Sequence, residues 1–136
     1  MRIRIEDLRQ KVGVTESMEA SKAFQKTDIV RRIQYLAEKS KYELLGTEWD
    51  TLLRDFGEYY PALLSDLHQI PNLNENCIRV CILLIAGLRE SDIARFLHIG
   101  NTAISNYKSD INQELFHDKS ARTLFKNLER RYGIFS

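Results

Sequence analysis

Residues 101–112 read NTAISNYKSDIN, a stretch rich in small amides and hydroxyls. At helical spacing, with Ile104, Tyr107 and Ile111 turned inward, Asn101, Thr102, Ser105, Asn106, Ser109 and Asn112 share the outward face. The chemistry open to such a face is hydrogen-bond readout. An Asn amide pairs bidentately with adenine, and a Ser or Thr hydroxyl contacts either strand of a duplex. Lys108 and Arg95 are the cations placed to hold phosphates beside it. The same small polar residues would equally serve to solvate an exposed helix.

Other reactive side chains point to packing rather than chemistry. Cys77 and Cys81 stand four apart on one helix face, a spacing that can carry two metal ligands. No second pair or nearby His completes a set, so the expectation is two reduced core thiols. His68, His98 and His117 are scattered and have no Ser or Cys nucleophile motif beside them. The chain has no Gly-rich phosphate loop and no paired carboxylates of catalytic spacing, so neither enzyme nor cofactor is expected. Trp49, Phe56, Tyr59 and Tyr60 gather near a helix end and read as packing against the helix at 75–86, with a ligand pocket as the alternative.

The 136 residues suffice for one domain or two small subdomains on a shared core, and 43% hydrophobic content argues against disorder. The longest apolar run, Val80–Ala86, is far short of the roughly 20 residues that span a bilayer, so no membrane insertion is expected. "RIRIEDLRQK" after Met1 lacks an apolar signal core. With two cysteines only, a cytoplasmic location is the expectation. Net charge is +1 but uneven. Residues 47–72 hold one base and five acids, residues 118–136 five bases and two acids, and residues 1–46 ten bases and seven acids. An anionic partner would favour the ends over the middle.

The elements that must position these residues read as helices throughout. No alternating run of β-formers and no Asn-Gly or Asp-Gly hairpin signal occurs. A first helix is expected over 3–11, carrying Ile3, Ile5 and Leu8, with Gly13 as a breaker. Thr27 reads as the cap of a helix with Ile29, Ile33 and Leu36, fading near Ser40. The apolar stripe of this N-terminal third is thin, which suggests burial against a partner chain or a preceding segment. Thr47 reads as the cap of a helix through Trp49, Leu52, Leu53 and Phe56, and Pro61 as the first turn of the next. Asn74 caps a helix through Ile85 that Gly87 stops. Helices follow from about Glu90 to His98 and from about Asn101 to Phe116. Ser120 caps a last amphipathic helix with Leu124, Phe125 and Leu128, stopped at Gly133.

The pair at 90–116 meets the demands of a helix-turn-helix. Ala94 is the small residue in the first helix, Gly100 serves the turn, and Ile93, Leu97, Ile99, Ile104, Ile111 and Leu115 lock the pair. The stretch "LNENCIRVCILLIAGLRESDIARFLHIGNTAISNYKSDINQEL" resembles the C-terminal DNA-binding domain of LuxR-type response regulators. That family's pattern is L-(T/S)-x-x-E, an apolar helix ending in Gly, I-A-x-x-L-x-(I/V)-S-x-x-T-V, then K-L. Leu73, Gly87, Ile93, Ala94, Leu97, Ile99, Ile104 and Leu115 stand at matching positions. Upstream, "EWDTLLRDFGEYYPALLSDLHQIPNL" is similar to the segment that precedes this domain in one-component regulators with large N-terminal sensor regions. The resemblance covers about residues 47–130 and implies that the chain is the C-terminal piece of a larger protein.

The departures from the family are specific. Its Ser before the recognition helix is Gly100, its Thr is Ala103, and its basic residues late in that helix are Asp110, Asn112, Gln113 and Glu114. Residues 73–117 hold four bases and five acids, so the module is near neutral and should bind DNA weakly as a monomer. The expected architecture is all-α: a helical bundle containing a LuxR-like helix-turn-helix, with an N-terminal helical extension. Residues 1–46 would brace or dimerise, 47–72 connect, and 73–136 form the output domain. The expected function is a DNA-binding transcriptional regulator that inserts the helix near 101–116 in the major groove as a homodimer. Double-stranded DNA and a second copy, paired through the N-terminal helices, would be its partners. The rival is a protein-interaction module whose helix pair has lost DNA binding, which the acids at Asp110 and Glu114 favour.

Overall fold

The structure is a computed structural model, and it describes residues 22–71 and 73–134. The helix expected over 3–11 lies outside the described residues. Those described are all-α, with no strand among them. After a helical turn at 22–25 come α1 (Asp28–Glu38), α2 (Gly46–Tyr59), α3 (Pro61–His68), α4 (Glu75–Ile85), α5 (Glu90–Leu97) and α6 (Asn101–Phe116). A 3-10 turn (Ala121–Thr123) then leads into α7 (Leu124–Tyr132).

Local chemistry sets most of these boundaries. Thr27 Oγ1 accepts from Val30 N and Asn74 Oδ1 from Cys77 N at 2.8 Å, each satisfying a donor that the first turn leaves unpaired. Tyr60, held out of the helical region by the following proline, separates α2 from α3. Gly87 adopts φ +89° and Gly133 φ +68°, left-handed conformations that close α4 and α7. The expected cap at Thr47 is corrected. The cap position is Leu45, two residues earlier, and the helix starts at Gly46, where the Glu48 carboxylate reaches back to accept from Leu45 N at 3.0 Å.

One apolar core runs from Phe24 to Ile134. α4 is its axis: Val80 to Ala86 are all buried, and α5 and α6 pack on it. α7 and the 3-10 turn pack on α6, while α1 packs on α2 and α2 on α3. The Tyr132 hydroxyl donates to Asp66 Oδ2 at 2.5 Å and so joins α7 to α3.

Among the described residues, the stripe on α1 needs no partner chain to cover it. Ile29, Val30, Ile33, Leu36 and Ala37 are buried within the same chain. Two glutamines dock this region onto the end of α4, where backbone carbonyls lack helical donors. Gln25 Nε2 donates to Ile85 O at 3.2 Å and Gln34 Nε2 to Ala86 O at 3.3 Å. Phe24 completes the aromatic group, with its ring centroid 5.6 Å from Phe56 and 5.7 Å from Tyr60.

Candidate nucleic-acid interface

α5 and α6 are joined by the three residues His98–Gly100. The turn is corrected in one respect: its left-handed residue is His98 (φ 55°, ψ 45°), not Gly100. His98 N and Ile99 N donate back to Arg95 O and Ala94 O, closing the end of α5. Gly100 lies in extended backbone (φ −79°, ψ 160°), and a Cβ built there meets nothing within 4 Å. A serine, as in the LuxR pattern, would fit this position. No side chain caps α6.

α6 is anchored by Ile104 and Ile111, both fully buried, and by Leu115. Against that anchor Asn101, Thr102, Ser105 and Asn106 are exposed, and Ser109 is half-buried. The structure therefore brings four of the six expected polar residues together on one open surface at the start of the helix.

Asn112 does not belong to that surface. It is 0% exposed, because α7 and the turn before it cover this end of α6. Its Nδ2 donates to Ser120 O at 2.5 Å and to Thr123 Oγ1 at 2.9 Å, and its Oδ1 accepts from Asn127 at 2.8 Å. Asp118 extends the network, accepting from Thr123 Oγ1, from Ser120 N at 3.0 Å and from Asn127 Nδ2 at 3.2 Å. The Thr123 hydroxyl, then the Ser120 N–H and Asn127 amide, hold the Asp118 carboxyl below its ordinary pKa. Asn112 is thus a tie between α6 and α7. Residue spacing alone could not show this, since the covering element lies further along the chain.

The two cations expected to hold phosphates differ. Lys108 is only 17% exposed and its Nζ lies 3.4 Å from Glu90 Oε1, so its charge is matched within the fold. Arg95 is exposed and has no carboxylate at ion-pair distance among the described residues. Its guanidinium lies over the Tyr42 ring, 5.3 Å from the centroid, and Nη1 donates to the Tyr42 hydroxyl at 3.3 Å. Tyr42 was not among the expected site residues. It belongs to the segment between α1 and α2, fifty-three positions from Arg95 in sequence. Further cations stand exposed after α6, at Lys119, Arg122, Lys126 and Arg130.

The remaining candidates are structural in their surroundings. Burial pushes the Cys77 thiol up to about 12, with Asp110 adding to the effect, and burial does the same to Cys81. Trp49 lies under the Arg79 guanidinium, 4.3 Å from ring centroid to Cζ, at a cavity of about 310 Å³ that Leu53, His68 and Ile78 also line. No described helix is long and apolar enough to cross a membrane. No family model, curated protein or solved structure matches the chain.

Proposed function

We propose that this chain is the DNA-binding output region of a transcriptional regulator, of the LuxR-like kind, and that the first half of α6 enters the major groove. The observation that carries the reading is the exposure of Asn101, Thr102, Ser105 and Asn106 above the buried Ile104 and Ile111. These side chains have the donors and acceptors that base edges require. Arg95 stands on the last turn of α5, immediately before the turn into α6, and supplies an unmatched positive charge for a flanking phosphate. The uncapped start of α6 presents backbone N–H groups that favour an anion in the same region. The exposed bases after α6 add general attraction to the duplex. The reading is that of a binding protein without catalysis or cofactor, acting in the cytoplasm.

Each module carries few unmatched cations, so two copies are needed for useful affinity. A homodimer would set two α6 helices in successive major grooves, about 34 Å apart. The buried face of α1 is not available for that pairing.

A second reading keeps a specific support. Lys108 is paired to Glu90, while Asp110 and Glu114 have no ion-pair partner among the described residues. This charge pattern suits docking on another protein. Binding to random-sequence duplex DNA at low and moderate salt, followed by selection of preferred sites, separates the two. The DNA reading expects binding that strengthens as salt falls, together with an enriched motif. A folded sample that fails to bind even at low salt would leave the protein-docking reading in its place.

A further inference from the structure

We infer that Tyr42 is a positioning residue that presents Arg95 to a nucleic-acid phosphate, an inference that rests on the DNA-binding reading of α5 and α6. The geometry forms a directed chain. The Tyr42 hydroxyl has one proton and donates it to Asp92 Oδ1 at 2.9 Å, nearer than Ala37 O at 3.4 Å, which leaves its lone pairs to accept from Arg95 Nη1 at 3.3 Å. Asp92 is 6% exposed and fixed in turn by Arg89 Nε at 3.1 Å. The Tyr42 ring is held edge-on by Phe96, with centroids 5.1 Å apart. Both faces of the contact to Arg95, hydroxyl and ring, are therefore fixed by buried neighbours.

The chemistry of this support matters. A free arginine side chain gives up rotamer entropy when it is fixed. A platform that orders Arg95 beforehand removes part of that cost from the binding step. A carboxylate platform would also order it, but would cancel the charge a phosphate needs, as Glu90 does for Lys108. The neutral hydroxyl and the ring face order the guanidinium without matching its charge. One N–H of five is engaged at Tyr42, so the others remain for phosphate oxygens. Arg95 also lies three residues before the turn that opens into the exposed half of α6, where a phosphate flanking the groove would sit.

The test is a double-mutant cycle on random-sequence duplex DNA, with salt titration and thermal melting of the wild type, Tyr42→Leu, Arg95→Gln and the double variant. Arg95→Gln should flatten the dependence of log K on log salt by about 0.9, one phosphate contact. Tyr42→Leu should weaken binding about two- to tenfold while keeping the wild-type slope, because the cation remains and only its ordering is lost. The double variant should bind as Arg95→Gln does. A merely structural Tyr42 would weaken binding equally in both backgrounds, and that result overturns the inference. So does unchanged affinity in Tyr42→Leu while the wild type binds. Should Tyr42→Leu fail to fold, Tyr42→Phe keeps the ring, removes the hydroxyl, and carries the same cycle. A wild type that does not bind DNA at low salt overturns the DNA-binding reading itself, and this inference with it.

Discussion

The two halves of α6 are built for different tasks. From Asn101 to Asn106 the polar side chains face solvent, and the fold touches this half mainly through Ile104. From Ile111 onward the helix is held on both sides: Ile111 and Leu115 are buried, and Asn112 is tied to Ser120, Thr123 and Asn127. Asparagine occurs in both halves with opposite meaning. Asn106 has no protein partner among the described residues and is free to meet one from outside, whereas Asn112 has spent its hydrogen bonds on α7. A helix that reads DNA, as proposed for α6, needs both conditions. One end must be rigidly mounted so that the other can project without losing its orientation.

Substitutions can break that contrast, and the largest effect is expected where the mount is cut. Asn112→Ala removes an amide from a buried network and leaves its partners unsatisfied, so it should cost about 2–3 kcal/mol in denaturant unfolding. Asn106→Ala should stay within about 0.5 kcal/mol in the same experiment, since nothing in the fold depends on it. Equal losses at both positions would erase the distinction between the halves.

Acid should loosen the mount next. Asp118 titrates lower in the folded chain than in the unfolded one, so its contribution is complete above the ordinary aspartate range, about pH 4. It is lost as the pH falls through that range and then through the folded value. Amide exchange at residues 118–127 should therefore quicken on acidification before exchange in α4 does. Asp118→Asn should remove much of that pH dependence.

The turn between the helices gives smaller and opposite effects. His98→Gly should stabilise by about 1 kcal/mol, because an L side chain is strained at φ 55°. Gly100→Ser should add about 0.5 kcal/mol by supplying a hydroxyl cap at a position with room for a Cβ. Thermal melting checks both. A Gly100→Ser variant less stable than the wild type would mean that the start of α6 is set by something other than its own cap.

The sequence was a good guide wherever the determining interaction is local. Thr27, Asn74, Pro61 and Gly133 each act on a donor, a turn or a backbone angle within a few residues, and each stands where its type predicts, whereas Ser120 caps the 3-10 turn before α7 rather than α7 itself. The apolar positions Ile93, Ile104 and Ile111 likewise follow from helical period. The failures all involve a neighbour distant in sequence or a competition between adjacent caps. Asn112 looked outward because α7, which covers it, comes later in the chain. The stripe on α1 looked unpaired because its cover lies on other helices. Tyr42 gave no signal, since its partners Asp92 and Arg95 are fifty and fifty-three positions away. Thr47 lost to Leu45 because the Glu48 carboxylate, three residues on, accepts from Leu45 N and fixes the earlier start. At Gly100 the residue type suggested a left-handed turn, and the neighbouring His98 takes that conformation instead.

The central claim is that the exposed half of α6 is the surface that meets DNA. Its most direct test is a titration of isotope-labelled protein with a short duplex at low salt, read residue by residue from the amide resonances. The account predicts shifts concentrated at 101–106 and around Arg95, fading as salt is raised, with residues 111–116 following only weakly. Shifts confined to α2 and α3, or none at all from a folded sample at low salt, would contradict it.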